Sequence, residues 1–364
     1  MNFNYMEWFD SRILIFMGMS LFLNGFIVYL WHKKFYQKLG LKSYRAIQRI
    51  HLKETPRFGG GIFILSLIFF VTFSNSNESI QTLKVILLAL VPIIIIGLKE
   101  DLFHNVSPTV RLLALFSVGW LFRAQFNGPL PNMVDVPLIG KLLELQGGIG
   151  LFYILCIASI ANGMNLIDGV NGLCGSVALS ILSALLFLSY KSNDIMMITT
   201  ITSVILIFMP FMVFNYPFGK IFLGDLGAYS LGLVVSMLTI ILCGRHPAIS
   251  PWVAVLILIY PATEVSFTLL RRIFAGTSAF DPDTSHLHLR LFNFFRAQPI
   301  SRRLANPLVM ITLTGLWILP SFIISWVYNK TFFIWIAILG FFALYAGIYF
   351  FIPASKRLMI KGEK

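Results

Sequence analysis

The run Leu83-Lys84-Val85-Ile86-Leu87-Leu88-Ala89-Leu90-Val91-Pro92-Ile93-Ile94-Ile95-Ile96-Gly97-Leu98 is apolar apart from one lysine, and it stops on Lys99-Glu100-Asp101. Such a segment suits the hydrocarbon core of a bilayer, which a helix of about 20 mostly apolar residues can cross. The three charges mark where it leaves lipid. The pattern recurs along the chain: candidate spans fall at 13–31, 58–75, 83–98, 109–126, 148–162, 173–190, 195–214, 226–243, 251–269, 307–328 and 331–352. That makes about eleven helices.

Composition agrees with this reading. Of 364 residues, 57% are apolar and only 12% charged, and Phe alone supplies 35. A soluble domain has roughly 25% charged residues. There is too little polar surface here to coat a water-soluble globule. A cytosolic enzyme, a secreted domain, a nucleic-acid-binding module and a disordered chain are all excluded. The expected fold class is an all-α polytopic membrane protein, with residues 1–364 forming a single integral-membrane domain.

The 28 Lys and Arg outnumber the 15 Asp and Glu, for a net charge of +13. In a membrane protein such residues collect in cytoplasmic loops. With the N-terminus outside, about three quarters of them fall on the inner side. The expected orientation is therefore N-terminus out and C-terminus in the cytoplasm. The first apolar run lacks a basic flank and is long enough to remain as a span, so no cleavable signal peptide is expected. Cys156, Cys174 and Cys243 show no metal-ligand spacing and read as buried hydrophobes.

The carboxylates gather where the spans end. Glu100 and Asp101 close the third span, Asp168 separates the fifth from the sixth, and Asp225 opens the eighth; Asp281 and Asp283 lie in the loop after the ninth. All six are expected on the cytoplasmic face. Avoidance of lipid would account for any one of them, but not for their neighbours. Asn162-Gly163-Met164-Asn165-Leu166-Ile167-Asp168-Gly169-Val170-Asn171-Gly172-Leu173 offers several oxygen donors separated by glycines, the ligand type hard cations take. Lys220-Ile221-Phe222-Leu223-Gly224-Asp225-Leu226-Gly227 sets a cation and a carboxylate at a helix start. Asp281-Pro282-Asp283-Thr284-Ser285-His286-Leu287-His288 adds two imidazoles able to bind phosphate oxygens. At i and i+2 on a helix or strand those rings are expected to point apart, which disfavours a two-histidine zinc site. Lys53-Glu54-Thr55-Pro56-Arg57-Phe58-Gly59-Gly60-Gly61 is basic and glycine-rich, suited to phosphate contacts. The segment 289–296 mixes apolar and basic residues as an interfacial helix does.

Taken together, these four stretches resemble the polyprenyl-phosphate N-acetylhexosamine-1-phosphate transferase family, which also contains the muramyl-pentapeptide transferases. The resemblance runs in order from about His51 to Arg290. Its strongest parts are Asn165 to Leu173 and Phe222 to Gly227, with Thr55 to Gly60 as a third. Three positions depart from the family pattern. Glu100 replaces the first of a paired Asp, Asn171 replaces a second Asp, and Leu289 stands where a third histidine would be. The last of these favours the N-acetylhexosamine branch over the muramyl-pentapeptide branch.

The resemblance implies a bacterial inner-membrane enzyme with a cytoplasmic active site. It would move N-acetylhexosamine-1-phosphate, with GlcNAc as the default sugar, from a UDP-N-acetylhexosamine to undecaprenyl phosphate. UMP would be released, and a surface polysaccharide such as lipopolysaccharide O-antigen or a cell-wall polymer would be started. Mg²⁺ or Mn²⁺ is the implied cofactor, held by Asp225 with Asn165. Asp101, Glu100 and Asp168 are the implied catalytic carboxylates. Lys53, Arg57, Lys220, Asn171, His286 and His288 are the implied substrate contacts. The oligomeric state stays open, a homodimer included. A secondary transporter is the main rival and would place charge in mid-helix, where Glu264 is the one carboxylate inside a late span. A CDP-alcohol phosphotransferase would need several aspartates at short helical spacing, which the residues after Asp168 do not supply.

Overall fold

The computed structural model describes residues 12–33, 55–131, 140, 147–276 and 285–352. These form fifteen helices, and no strand occurs among them. In chain order they are α1 Arg12–His32, α2 Gly59–Phe73, α3 Glu78–Ala89, α4 Val91–Phe103, α5 Pro108–Gln125, α6 Gly148–Ile167, α7 Leu173–Lys191 and α8 Ile195–Asn215. Then follow α9 Gly224–Arg245, α10 Trp252–Ile257, α11 Ile259–Ala275, α12 Leu287–Ala297, α13 Arg302–Thr312, α14 Thr314–Val327 and α15 Thr331–Phe351. Seven helices are long and apolar enough to cross a membrane, counting Leu304–Val327 as one, or eight with the bent pair α3–α4. The protein is a multi-pass membrane protein.

Three expected spans differ in shape from single straight helices. The apolar run 83–98 bends by 55° between α3 and α4. Pro92 opens α4 there, where its missing N–H and fixed φ suit a helix start rather than a helix interior. The span expected at 251–269 breaks at Leu258 into α10 and α11. The one at 307–328 is interrupted at Leu313 between α13 and α14. Local chemistry sets several other ends. Asn77, Ser107 and Asp194 each accept a backbone N–H of the first turn that follows, from Ile80, Val110 and Met197.

Helix α9 is the axis of the molecule. Every residue from Gly224 to Gly244 is buried, and the helix carries charge only at its two ends, on Asp225 and Arg245. It packs on α6, α4, α2 and α7. Small residues permit this. A Cβ on Gly60 would lie 2.1 Å from Gly227 Cα, so α2 and α9 cross at a distance only glycine allows. Backbone hydrogen bonds fasten the same crossing. Phe222 N–H donates to Pro56 O (2.8 Å), Gly59 N–H to Phe222 O (3.0 Å) and Gly60 N–H to Leu223 O (2.8 Å). Two motifs far apart in sequence are thus one piece of backbone, and their outer ends carry Arg57 and Asp225.

Candidate active site

The N-terminus of α9 is the centre of the polar site. Gly224 has φ +79°, and a Cβ there would come within 2.5 Å of Asp101 Oδ2. Without a side chain, the last turn of α4 can reach the start of α9. Asp101 then accepts the N–H of Asp225 (2.8 Å, Oδ1) and of Leu226 (3.0 Å, Oδ2). These are donors that a helix start leaves unpaired. The carboxylate also favours the positive end of the helix dipole. Arg57 Nε lies 3.2 Å from Asp101 Oδ1, and its Nη2 lies 2.5 Å from Asp225 Oδ1. Arg111, in the first turn of α5, places Nη1 2.9 Å from Asp225 Oδ2. Both oxygens of Asp225 are therefore held by guanidinium groups, and one of those groups also holds Asp101.

Asp168 follows the last residue of α6, and its backbone N–H donates to Asn165 O. Burial pushes its carboxyl well above the usual range, and Asp225 and Asp101 push it further, while Arg57 pulls it back. For Arg57 burial opposes the charge, but Asp225, Asp101 and Asp168 outweigh it and raise the pKa. The three aspartates and Arg57 thus form one electrostatic unit built from four separate segments. Asn165 Nδ2 donates to Tyr229 Oη (3.1 Å), which leaves the amide oxygen as the acceptor.

Glu100 has a different task. Its Oε2 accepts the Val106 N–H (2.9 Å) and so ties the turn after α4, where His104 is left-handed with φ +52°. Burial, then Arg57, lowers the pKa of His104 beside it. Asn171 is buried. Its Nδ2 donates to Pro217 O (2.9 Å), and its backbone N–H donates to Asn306 Oδ1 (2.9 Å). It joins the turn after α6 to the turn before α9. Lys220 stands on that second turn with its side chain exposed. Lys53, Asp281 and Asp283 lie outside the described residues.

His286 and His288 differ from the expectation. Their rings are parallel to within 7° with centroids 5.8 Å apart, rather than pointing away from each other. The reason is that α12 starts at Leu287. His286 is its extended N-cap (φ −58°, ψ 146°), so the i and i+2 pair straddles a change of backbone conformation. His288 Nε2 lies against Gly169, the neighbour of Asp168. Burial lowers its pKa well below that of a free imidazole.

Sequence reasoning singled out Asp101, Asp168, Asp225 and Arg57, and the structure brings them together. It missed Arg111 and Tyr229 as site residues. A lone cation at the start of a span reads as a topological anchor, and a tyrosine in an apolar helix reads as packing. Asn215 was missed as well. Its side chain accepts the Gly172 N–H (2.7 Å) and donates to Ile221 O (2.8 Å).

Among the described residues no three His, Cys, Asp or Glu side chains form a ready-made metal cage. The donor set still fits a hard divalent ion. Mg²⁺ is commonly held by one or two carboxylates with substrate phosphates completing the shell. Asp225, Asp168 and the Asn165 amide oxygen supply donors of that kind.

A sequence model of glycosyl transferase family 4 matches residues 83–243. The chain is similar to a probable undecaprenyl-phosphate N-acetylglucosaminyl 1-phosphate transferase of Bacillus subtilis (strain 168), 26% identical over 260 residues, which cover 71% of each chain. It is 24% identical to the decaprenyl-phosphate N-acetylglucosaminephosphotransferase of Mycobacterium tuberculosis (strain ATCC 25618 / H37Rv) over 291 residues, 70% of this chain and 69% of that one. A phospho-N-acetylmuramoyl-pentapeptide-transferase of Streptococcus thermophilus (strain CNRZ 1066) is 27% identical over 225 residues, 57% of this chain and 65% of that one.

Proposed function

We propose that this chain is a member of glycosyl transferase family 4 that transfers N-acetylglucosamine-1-phosphate from its UDP derivative to a polyprenyl phosphate, releasing UMP and starting a glycan. The lipid is undecaprenyl phosphate in this reading, the membrane is the bacterial inner membrane, and the site faces the cytoplasm. The observation that carries it is the convergence of Arg57, Asp101, Asp168 and Asp225 from four segments onto one end of the bundle. A phosphate-on-phosphate reaction needs cationic groups and hard oxygen donors in one place, at the membrane surface where a lipid phosphate can meet a soluble nucleotide.

In the reaction an oxygen of the lipid phosphate forms a P–O bond to the sugar-bearing phosphorus. The bond to the bridging oxygen breaks, and its electron pair leaves with UMP. The nucleophile has a second pKa near 6 and is largely ionised at neutral pH, so a strong base is not required. Asp101 accordingly acts by position: it fixes the start of α9 and one edge of Arg57. Arg57 and Arg111 lie where they can turn to phosphate oxygens, and such positioned cations stabilise charge that develops in the transition state. His286 and His288 are buried behind the turn that carries Asp168, and Lys220 stands at the exposed rim. Asp225, Asp168 and Asn165 would hold Mg²⁺ or Mn²⁺, which when bound would neutralise charge on the donor pyrophosphate.

The test uses full-length protein in detergent with undecaprenyl phosphate and a panel of UDP-N-acetylhexosamines. UMP release is expected with UDP-GlcNAc, is expected to stop on chelation, and is expected to return with Mg²⁺ or Mn²⁺. Asp225→Asn, expressed at the normal level, is expected to lose it. Release that is unaffected by both treatments would remove the metal assignment, and no release with any sugar would remove the function.

A further inference from the structure

Glu264 is a carboxylate set in the interior of α11 with 1% of its surface exposed. The proposed chemistry makes no use of it. A buried carboxylate is costly unless paired, and a leucine would fill the same volume without that cost. Its surroundings are specific. Oε2 lies 3.5 Å from His286 Nδ1, and Thr268 Oγ1 lies 3.4 Å from the same nitrogen. Tyr260 and Tyr345, both buried, stand near enough to interact with the carboxyl. Both histidines are buried, at 6% and 1% exposure, and their rings stack in parallel. Among the described residues His288 Nδ1 is buried with no hydrogen-bond partner. On the far side of that ring, a Cβ on Gly169 would come within 2.2 Å of His288 Nε2. No side chain but hydrogen leaves room for the imidazole there.

The contacts make a chain: Glu264 to His286, His286 to His288, and His288 to the turn that carries Asp168. Its two ends lie on α11 and on the turn that follows α6, and those two helices pack together. Gly163 assists, since a Cβ there would lie 2.3 Å from Pro261 O of α11. Arg271, two turns after Glu264, fastens the segment that leads into the histidines. Its Nη1 donates to Ser285 O and to Tyr349 Oη, both at 2.9 Å.

We infer that Glu264 is a positioning residue, whose carboxyl holds the His286–His288 pair against the turn that carries Asp168 and so sets that turn for the donor pyrophosphate. The inference rests on the transferase reading for its ligand. The geometry that supports it stands without that reading.

Two measurements test it on full-length protein. The first is steady-state kinetics of Glu264→Ala and Glu264→Gln. The glutamine keeps shape and an acceptor oxygen for His286 Nδ1, whereas alanine removes both. For alanine the KM for UDP-GlcNAc is expected to rise about tenfold while that for the lipid phosphate stays within about twofold, and glutamine is expected to restore most of the loss. The second is diethyl pyrocarbonate labelling read by mass spectrometry, with no substrate present. His286 and His288 are expected to be protected in the parent and in Glu264→Gln, and to label about fivefold faster in Glu264→Ala as the segment opens. His246, at the opposite end of α9, serves as the internal reference. If the alanine protein does not survive purification, Glu264→Leu fills the space and takes its place. A parent protein that releases no UMP overturns the transferase reading, and the labelling still decides the part played by Glu264. An active parent whose alanine or leucine variant keeps the donor KM and the histidine protection overturns the inference.

Discussion

Arg111 and Arg57 each hold a different oxygen of Asp225, so the charge of this aspartate is balanced twice over in the protein alone. In the proposed reaction one of these guanidinium groups can turn to an incoming anionic substrate while the other stays on Asp225. Arg111 is the simpler one to test, because Arg57 also holds Asp101. Arg111→Gln is expected to lower kcat about a hundredfold, the order seen when one positioned charge-stabilising donor is lost. Its melting temperature should stay close to that of the parent, since half of the Asp225 pairing survives. Turnover of UDP-GlcNAc and a thermal melt check both parts. At this scale the sequence was legible wherever chemistry and local pattern coincide. Asp168 and Asp225 stand in glycine-flanked stretches at helix ends, where a structural reading had to compete with a ligand reading. Arg111 had no such frame, and only its contact with Asp225 separates it from a topological anchor. For the histidine pair, spacing predicted diverging rings. The helix start at Leu287, with His286 as its extended N-cap, reversed that.

At the scale of elements, the two ends of α9 are held by different devices. The site end is held by Asp101, Arg57 and the backbone stitching to residues 56–60. The other end is held by Asp194, which is 5% exposed, caps α8 through Met197 N–H, and receives Arg245 Nε (2.7 Å) and His246 Nε2 (2.7 Å). Burial alone would raise the Asp194 pKa, but hydrogen bonds from Arg245, Met197 and His246 outweigh it and hold the pKa below the usual carboxylate value. The sign follows from linkage. A depressed folded pKa means that the stabilisation is complete above the unfolded value of about 4 and fades as pH falls through the folded one. Asp194→Asn is expected to melt several degrees below the parent at pH 7, with the gap closing below about pH 4. A gap that stays constant with pH would show that the charge of Asp194 contributes nothing to stability. Elements were read well from hydropathy where the helix is straight: 173–190 and 195–214 match α7 and α8 to within a residue or two. Bends were not. Leu258 and Leu313, where two expected spans break, are ordinary apolar residues that carry no break signal of their own.

For the whole molecule, the main consequence is a polar end and an opposite end joined by one buried helix. Lys220 lies at the site end and Lys191 closes α7 at the other, both exposed. Single-cysteine variants at these positions, in a background without Cys156, Cys174 and Cys243, are expected to label with a membrane-impermeant maleimide from opposite sides. Lys220→Cys should react in inside-out vesicles and Lys191→Cys in right-side-out ones. Labelling of both from one side would overturn the proposed orientation.

Hydropathy by itself determined that the chain lives in a membrane, where most of its helices lie, and that Glu100, Asp101, Asp168 and Asp225 stand at helix ends. Those properties depend on transfer of side chains between lipid and water, which each segment settles for itself. The tertiary structure decided which ends meet. Only the crossing of α2 with α9 at Gly60 and Gly227 brings Arg57 to Asp225, and only the reach of α4 past Gly224 brings in Asp101. Likewise Glu264, an anomaly within an apolar span, gains a role through the fold of residues 285–288 over α11. Contacts between distant segments depend on close packing and on the pairing of buried charges, and no local pattern of residues encodes their partners.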